Sequence, residues 1–245
     1  MAHNSAAAPH PQRGTIAAIL CAGQGTRMGA GRNKVFLPLA GKPLLVHTIA
    51  AFTQARVVDD IVLVAHPLEM DYIRDEIVER YKFPRVTAII AGGETRHQSE
   101  DNVLTHLRER INAGELDVIL IHDGARPLIA PAAIDAVVEA ARTHGSALLA
   151  SPVGARESLA RVAEDGMIQQ VIEPADLWRA QTPQAFDARM LLAVYDQARH
   201  AGFEGTDTAA SFERAGHAVA VVAGSAANIK VTTPADLLAA ELRFS

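Results

Sequence analysis

From Thr15 onward, short runs that are almost wholly apolar alternate with amphipathic stretches, and this alternation constrains the fold more than any other feature of the chain. The runs are Ile16–Cys21 (IAAILC), Asp60–Ala65 (DIVLVA), Val86–Ile90, Asp117–His122 (DVILIH) and Ser146–Ser151. Between them, Pro43–Ala55, Leu68–Tyr81, Arg96–Ala113 and Pro131–Thr143 carry helical spacing. A strand that is apolar on both sides must be covered on both faces, as in a parallel sheet with helices above and below. The pattern predicts an α/β fold: a Rossmann-like, mostly parallel sheet with helices on both faces. In such a sheet, ligands sit at the carboxyl ends of the strands.

The alternation breaks between Val153 and Gln181. Here Arg156–Val162 and Met167–Ile172 flank Glu164-Asp165-Gly166, and Asp-Gly between two short runs is a hairpin signal. The spacing predicts an inserted β-hairpin arm at about 153–177. Helical spacing resumes at Ala188–Ala201 and Thr208–Ala215, Val219–Val222 reads as a strand, and Pro234–Leu242 as a closing helix. At 245 residues and 49% hydrophobic, the chain suits a single domain over 15–245. Met1–Gly14 is rich in Ala, Pro, His and Gln, lacks the apolar centre of a secretory signal, and is expected to be a disordered tail. The net charge of −5 gives no footprint for nucleic acid, so any phosphate binding must be local. Apolar runs are interrupted before they reach membrane-spanning length, and no membrane partner is expected. The single cysteine, Cys21, precludes an intrachain disulfide and suits a cytoplasmic location.

The first run leads into CAGQGTRMGAGRNK, Cys21–Lys34. Gly23 and Gly25 let backbone N–H groups approach an anion closely. Arg27 offers a bidentate phosphate contact and Lys34 a compact charge. A glycine-rich turn with solvated basic residues has the same local composition. No Gly-Lys-Ser/Thr follows, so the loop is not a Walker A loop, and Met28 stands where the dinucleotide fingerprint needs a third glycine.

Four later motifs add chemistry. Gly92-Gly93-Glu94-Thr95-Arg96-His97-Gln98-Ser99 would admit a flat base, with Ser99 at its edge, or is simply a loop and helix start. His122-Asp123-Gly124-Ala125-Arg126-Pro127 ends the fourth strand. Asp123 there could orient a metal ion or a substrate hydroxyl, or belong to an Asp-Gly turn. Gln181-Thr182-Pro183-Gln184 and Asn228-Ile229-Lys230-Val231-Thr232 complete the set; taken alone, Lys230 is indistinguishable from a solvated surface lysine.

The segment Ala-Gly-x-Gly-Thr-Arg-Met, the following lysine and Phe36-Leu37-Pro38-Leu39 resemble the signature of sugar-phosphate nucleotidyltransferases. Taken in order, all five motifs resemble the 2-C-methyl-D-erythritol 4-phosphate cytidylyltransferases of the non-mevalonate isoprenoid pathway, from about Thr15 to Leu242. The resemblance implies transfer of CMP from CTP to the methylerythritol phosphate, with Mg²⁺ held chiefly by the triphosphate. It implies catalytic roles for Arg27, Lys34, Lys230 and Asp123, with Asp123 the one conceivable metal contact. Ala22, Gly23, Gly25, Gly93, Glu94 and Ser99 would hold the nucleotide, with Gly124 at the ribose. Ser158, Thr182 and Thr206 would join Asp123 and Lys230 on the acceptor side. It also implies a homodimer embraced through the arm. This chain departs from the family in two places. Pro174 stands where the arm carries an acceptor-binding arginine, and Ser99-Glu100-Asp101-Asn102-Val103 stands where Ser-Val-x-x-Gly is usual. The altered arm leaves room for another acceptor such as ribitol 5-phosphate. UTP or GTP as donor and a non-catalytic nucleotide-binding subunit are the other readings.

Overall fold

The computed structural model describes residues 14–23, 33–154, 159–205 and 207–244. In chain order, β1 (Gly14–Leu20) is followed by a small hairpin of β2 (Pro38–Leu39) and β3 (Lys42–Pro43), then α1 (Leu44–Gln54) and β4 (Asp60–Ala65). Next come α2 (Met70–Tyr72), β5 (Val86–Ala91), α3 (Arg96–Asn112), β6 (Leu116–Asp123), α4 (Pro131–His144) and β7 (Ser146–Pro152). The arm strands are β8 (Leu159–Val162) and β9 (Ile168–Ile172). β10 (Trp178–Asp187), α5 (Ala188–Ala201), α6 (Thr208–Arg214), β11 (Ala220–Ala223) and α7 (Pro234–Glu241) close the chain.

Among the described residues, seven strands form one sheet in the order β11-β7-β10-β6-β1-β4-β5. β1 is parallel to β4 and β6, β4 to β5, and β11 to β7, while β10 runs antiparallel to both β6 and β7. Each central strand sends alternate side chains to opposite faces. Ala17 and Ile19 of β1 join Ile61, Leu63, Val118 and Leu120 in one core, under α1 and α4. Ile16 and Ala18 join Val62, Val64, Ile119 and Ile121 in the other, under α3 and α5. Both layers are apolar, which is why the strands read as unbroken apolar runs.

The structure revises the sequence expectation at several places. β10 was not anticipated: Trp178–Asp187 carries Arg, two Gln, Thr and Pro, and Gln181, Thr182 and Gln184 are buried by partners elsewhere in the chain rather than marked by periodicity. Leu68–Tyr81 is not a plain α-helix, because Pro67–Glu69 forms a 3₁₀ turn and Ile73–Glu79 a π-helical segment around the short α2. Gly14, placed in the tail, is the first residue of β1; residues 1–13 lie outside the described residues. The arm forms as an antiparallel pair turning at Asp165-Gly166, with Gly166 at φ +85°. The start of its first strand, 155–158, also lies outside the described residues. Among those residues no helix is long and apolar enough to cross a membrane.

Candidate active site

A cleft of about 250 Å³ opens at the carboxyl ends of the parallel strands. Its walls come from the end of β1 (Leu20–Gly23), from Asn33–Val35, from the β5–α3 junction (Gly93–Arg96 and Ser99), from Asp123 and Ala125 after β6, and from Lys230. The β5–α3 junction is a tight platform. A Cβ on Gly93 would lie 2.3 Å from Gln98 Cβ, and one on Gly92 2.6 Å from Ala22 Cβ, so neither position tolerates a side chain without rearrangement. Gly93 N–H donates to Ser99 Oγ (3.0 Å), and Ser99 Oγ–H donates to the Thr95 carbonyl (3.0 Å). Thr95 caps α3 by accepting from Gln98 N–H. Glu94 is exposed at the rim. Ala22, Gly23, Gly93, Glu94 and Ser99 are therefore brought to one cleft.

Asp123 is the electrostatic centre of the site. It is 6% exposed and has three cationic partners. Arg96 Nη1 donates to Oδ1 (2.5 Å), Lys230 Nζ lies 3.1 Å from Oδ2, and Arg126 Nε donates to Oδ2 (3.3 Å). Burial alone would raise the Asp123 pKa, but Arg96, Lys230 and Arg126 overcome it and hold the carboxyl well below the usual carboxylate range. It is an anion at any physiological pH. With cations against both oxygens, Asp123 offers a metal ion no open carboxylate. Among the described residues no group of three or more His, Cys, Asp or Glu side chains could hold one.

Behind Asp123 stands a layer of buried polar groups. His122 is fully buried, and burial pushes its imidazole pKa down to about 3. The neutral ring accepts at Nδ1 from Thr182 Oγ–H (3.1 Å) and donates from Nε2 to the Arg126 carbonyl (3.3 Å). The Thr182 oxygen in turn accepts from Asp123 N–H (3.0 Å). Thr182 was expected to meet the substrate; at 4% exposure, with its hydroxyl committed in both directions, it supports Asp123 from behind instead. Gly124, expected at the ribose, is likewise buried. Its N–H donates to the Leu20 carbonyl (2.9 Å), its carbonyl accepts from Thr48 Oγ–H (3.0 Å), and a Cβ there would lie 3.0 Å from Leu20 O. That glycine exists so that β6 can pack against the end of β1.

Lys230 reaches Asp123 because its segment is tied down on both sides. Asn228 Nδ2 donates to the Thr182 carbonyl (2.9 Å), Arg126 Nη1 donates to the Asn228 carbonyl (2.8 Å), and Val231 N–H donates to the Ala125 carbonyl (2.8 Å). Gln181 Nε2 bonds to the Ser225 carbonyl (2.9 Å), and Gln184 Oε1 accepts from Ala209 N–H (3.1 Å). The Gln-Thr-Pro-Gln and Asn-Ile-Lys-Val-Thr motifs are thus one scaffold, made from a strand and a loop more than 40 residues apart. Lys34 also lines the cleft, on a turn capped by the buried Asn33. Asn33 Nδ2 donates to the Cys21 carbonyl (2.6 Å) and to Glu69 (2.8 Å). Gly25, Arg27, Ser158 and Thr206 lie outside the described residues.

Three residues were not singled out from sequence. Asn33 and Arg126 lay within quoted motifs but carried no assigned role. Arg96 is the first residue of α3, where the helix dipole disfavours a cation. An arginine at that position signals carboxylate partners nearby, and it was the one usable clue.

Comparison with known proteins gives a consistent result. A family model described as 2-C-methyl-D-erythritol 4-phosphate cytidylyltransferase matches residues 15–245. A protein of that name from Geotalea uraniireducens is 43% identical over 92% of this chain and 94% of its own length. One from Syntrophotalea carbinolica is 41% identical over 91% and 93%, respectively. The crystal structure of 4-diphosphocytidyl-2C-methyl-D-erythritol synthase from Anaerococcus prevotii superposes with a TM-score of 0.80 at 25% identity, covering 95% of this chain and 98% of that one.

Proposed function

The chain belongs to the 2-C-methyl-D-erythritol 4-phosphate cytidylyltransferase family, and from that premise we propose how its cleft transfers CMP from CTP to 2-C-methyl-D-erythritol 4-phosphate, releasing pyrophosphate. The observation that carries this reading is one cleft lined together by the end of β1, Gly93, Lys34, Arg96, Asp123 and Lys230, three cations around one buried carboxylate. An acceptor phosphate is already an anion near neutral pH, so the reaction needs no strong base. One of its oxygens forms a bond to the α-phosphorus of CTP, the bond from that phosphorus to the bridging oxygen breaks in line, and pyrophosphate leaves with the electron pair. The physical obstacle is bringing two polyanions together, and positioned cations remove it.

Each described residue has a role in that scheme. The Gly92-Gly93 platform, held by Ser99, admits the flat base, and Ala22 and Gly23 line the path of the phosphates. Lys34 neutralises charge at the α-phosphate and the leaving group, a task that Arg27 shares by family resemblance. Lys230, held by Asp123, faces the acceptor. Asp123 sets the position of three cations through its fixed negative charge. Ser158 and Thr206 belong to the acceptor side by the same resemblance, and Gly25 to the phosphate loop. Magnesium would come bound to the triphosphate and supply charge neutralisation on phosphate oxygens; the Asp123 carboxylate is taken up by its three cations. The arm's exposed apolar side chains, Val162, Met167, Ile168 and Val171, support its role as a homodimer contact. The single buried thiol and the soluble substrates support a cytoplasmic site of action.

The test is pyrophosphate release by purified protein with CTP and Mg²⁺, supplied in turn with methylerythritol phosphate and ribitol 5-phosphate. Release with the former and not the latter is expected. Preference for ribitol 5-phosphate would overturn the acceptor assignment and implicate the arm, where Pro174 starts a 3₁₀ turn (Pro174–Asp176) instead of supplying an arginine.

A further inference from the structure

Beside the cleft lies a buried polar cluster around one carboxylate that the scheme above does not use. Glu100 is 1% exposed, one helical turn after Arg96 on α3. Its Oε2 accepts from the Tyr195 hydroxyl of α5, and its Oε1 accepts from Thr208 Oγ–H at the start of α6 (2.9 Å). Tyr195 is itself buried and stacks on His97, with centroids 4.5 Å apart and planes 12° from parallel. Arg96 Nε lies 2.8 Å from Glu100 Oε1, close enough for an ion pair but not aligned as a hydrogen bond. Arg96 is thus held between two carboxylates, with Nη1 on Asp123 and Nε against Glu100. Its Nη2 is buried without a hydrogen-bond partner.

Burying a carboxylate is expensive, and three elements converge to satisfy this one. Apolar side chains would fill the same space more cheaply. Burial raises the Glu100 pKa, while Arg96, Tyr195 and Thr208 oppose that rise. The cost makes sense if the charge acts through its partner, and the partner lines the cleft.

We propose that Glu100, held by Tyr195 and Thr208, is a positioning residue that fixes the Arg96 guanidinium between itself and Asp123, so that its charge is held in place at the wall of the nucleotide cleft. The inference rests on the function proposed above.

The test compares Glu100→Gln, Arg96→Lys and the double variant in the full chain. Readouts are kcat and KM from pyrophosphate release, calorimetric affinity for CTP with Mg²⁺, and Tm. Glu100→Gln keeps the side chain's size but removes the charge; its amide oxygen accepts from one of the two hydroxyls, and its NH2 donates to the other, which must turn to accept. The variant is expected to keep a Tm near that of wild type while kcat/KM for CTP falls roughly tenfold or more, with the double variant no worse than Arg96→Lys alone. Unchanged kcat/KM in Glu100→Gln, or losses that multiply in the double variant, would overturn the proposal. If Glu100→Gln fails to fold, Tyr195→Phe carries the test, because it frees the Glu100 carboxylate without altering either charge. A fall in kcat/KM for CTP, with the acceptor KM unchanged, supports the proposal, and wild-type kinetics overturn it. If wild type binds CTP but releases no pyrophosphate with any acceptor, the function reading fails separately. CTP affinity then decides the positioning role: a weaker Glu100→Gln supports it and an equal one overturns it.

Discussion

Replacing Thr182 with valine separates two roles that its sequence position cannot distinguish. Valine has nearly the same shape, so the change removes a hydroxyl and little else. In the wild type that hydroxyl accepts from Asp123 N–H at 3.0 Å and donates to His122 Nδ1 at 3.1 Å, and all three residues are buried. The variant therefore strands one donor and one acceptor. Each stranded group costs about 1–3 kcal/mol, and the added methyl offsets less than about 1 kcal/mol. We expect a loss of roughly 2–4 kcal/mol in unfolding free energy, with a matching fall in turnover as Asp123 loosens. Urea unfolding followed by circular dichroism at neutral pH measures the first and pyrophosphate release the second. Thr182→Ser keeps the hydroxyl and should recover most of both. If Thr182 instead touched the acceptor, Thr182→Val would raise the acceptor KM and leave stability alone. A Thr182→Val protein within about 0.5 kcal/mol of wild type would refute the buried-support reasoning.

Three further expectations follow from the same geometry. Lys34→Ala and Lys230→Ala should each lower turnover by about a hundredfold or more with circular dichroism unchanged, and a folded Lys34→Ala with near-normal pyrophosphate release would remove its assigned role. His122 titrates near 6.5 when unfolded and near 3 when folded, so its contribution to stability is full above the unfolded value and is lost as pH falls from 6.5 toward 3. Linkage puts the share lost by pH 5 at about 2 kcal/mol. Unfolding free energies for wild type and His122→Gln, measured across this range, should differ in slope; parallel curves would show that His122 does not titrate this way. Met167 and Val171 are exposed on the arm. Met167→Asp with Val171→Asp should convert the expected dimer to a monomer by analytical ultracentrifugation, and an unchanged oligomeric state would exclude the arm as the contact.

Much of this molecule is legible in one dimension. Apolar runs such as IAAILC and DVILIH are long enough, and uniform enough, to require burial on both faces. That requirement dictates helices on either side and a binding edge at the strand ends. Gly93 and the basic residues Lys34 and Lys230 are marked by their motifs, and the fold brings them to one cleft. The Asp165-Gly166 turn is likewise visible, because a short turn is a local affair.

Tertiary structure decided what depends on partners distant in sequence. β10 escaped notice because its polar residues are satisfied by Ser225, Asn228, Ala209 and Asp123, groups that no local period can indicate. Thr182 has a motif but no visible direction; only the packing of β10 against β6 turns its hydroxyl inward. Gly124 was marked as glycine, yet the reason is the close approach of Leu20 rather than a ligand. Glu100 is buried because α5 and α6 close over it, which no local pattern marks. Burial patterns are written along the chain because the hydrophobic effect acts on each residue separately. A buried hydrogen bond or ion pair needs two groups at one point in space, and only the folded chain places them there.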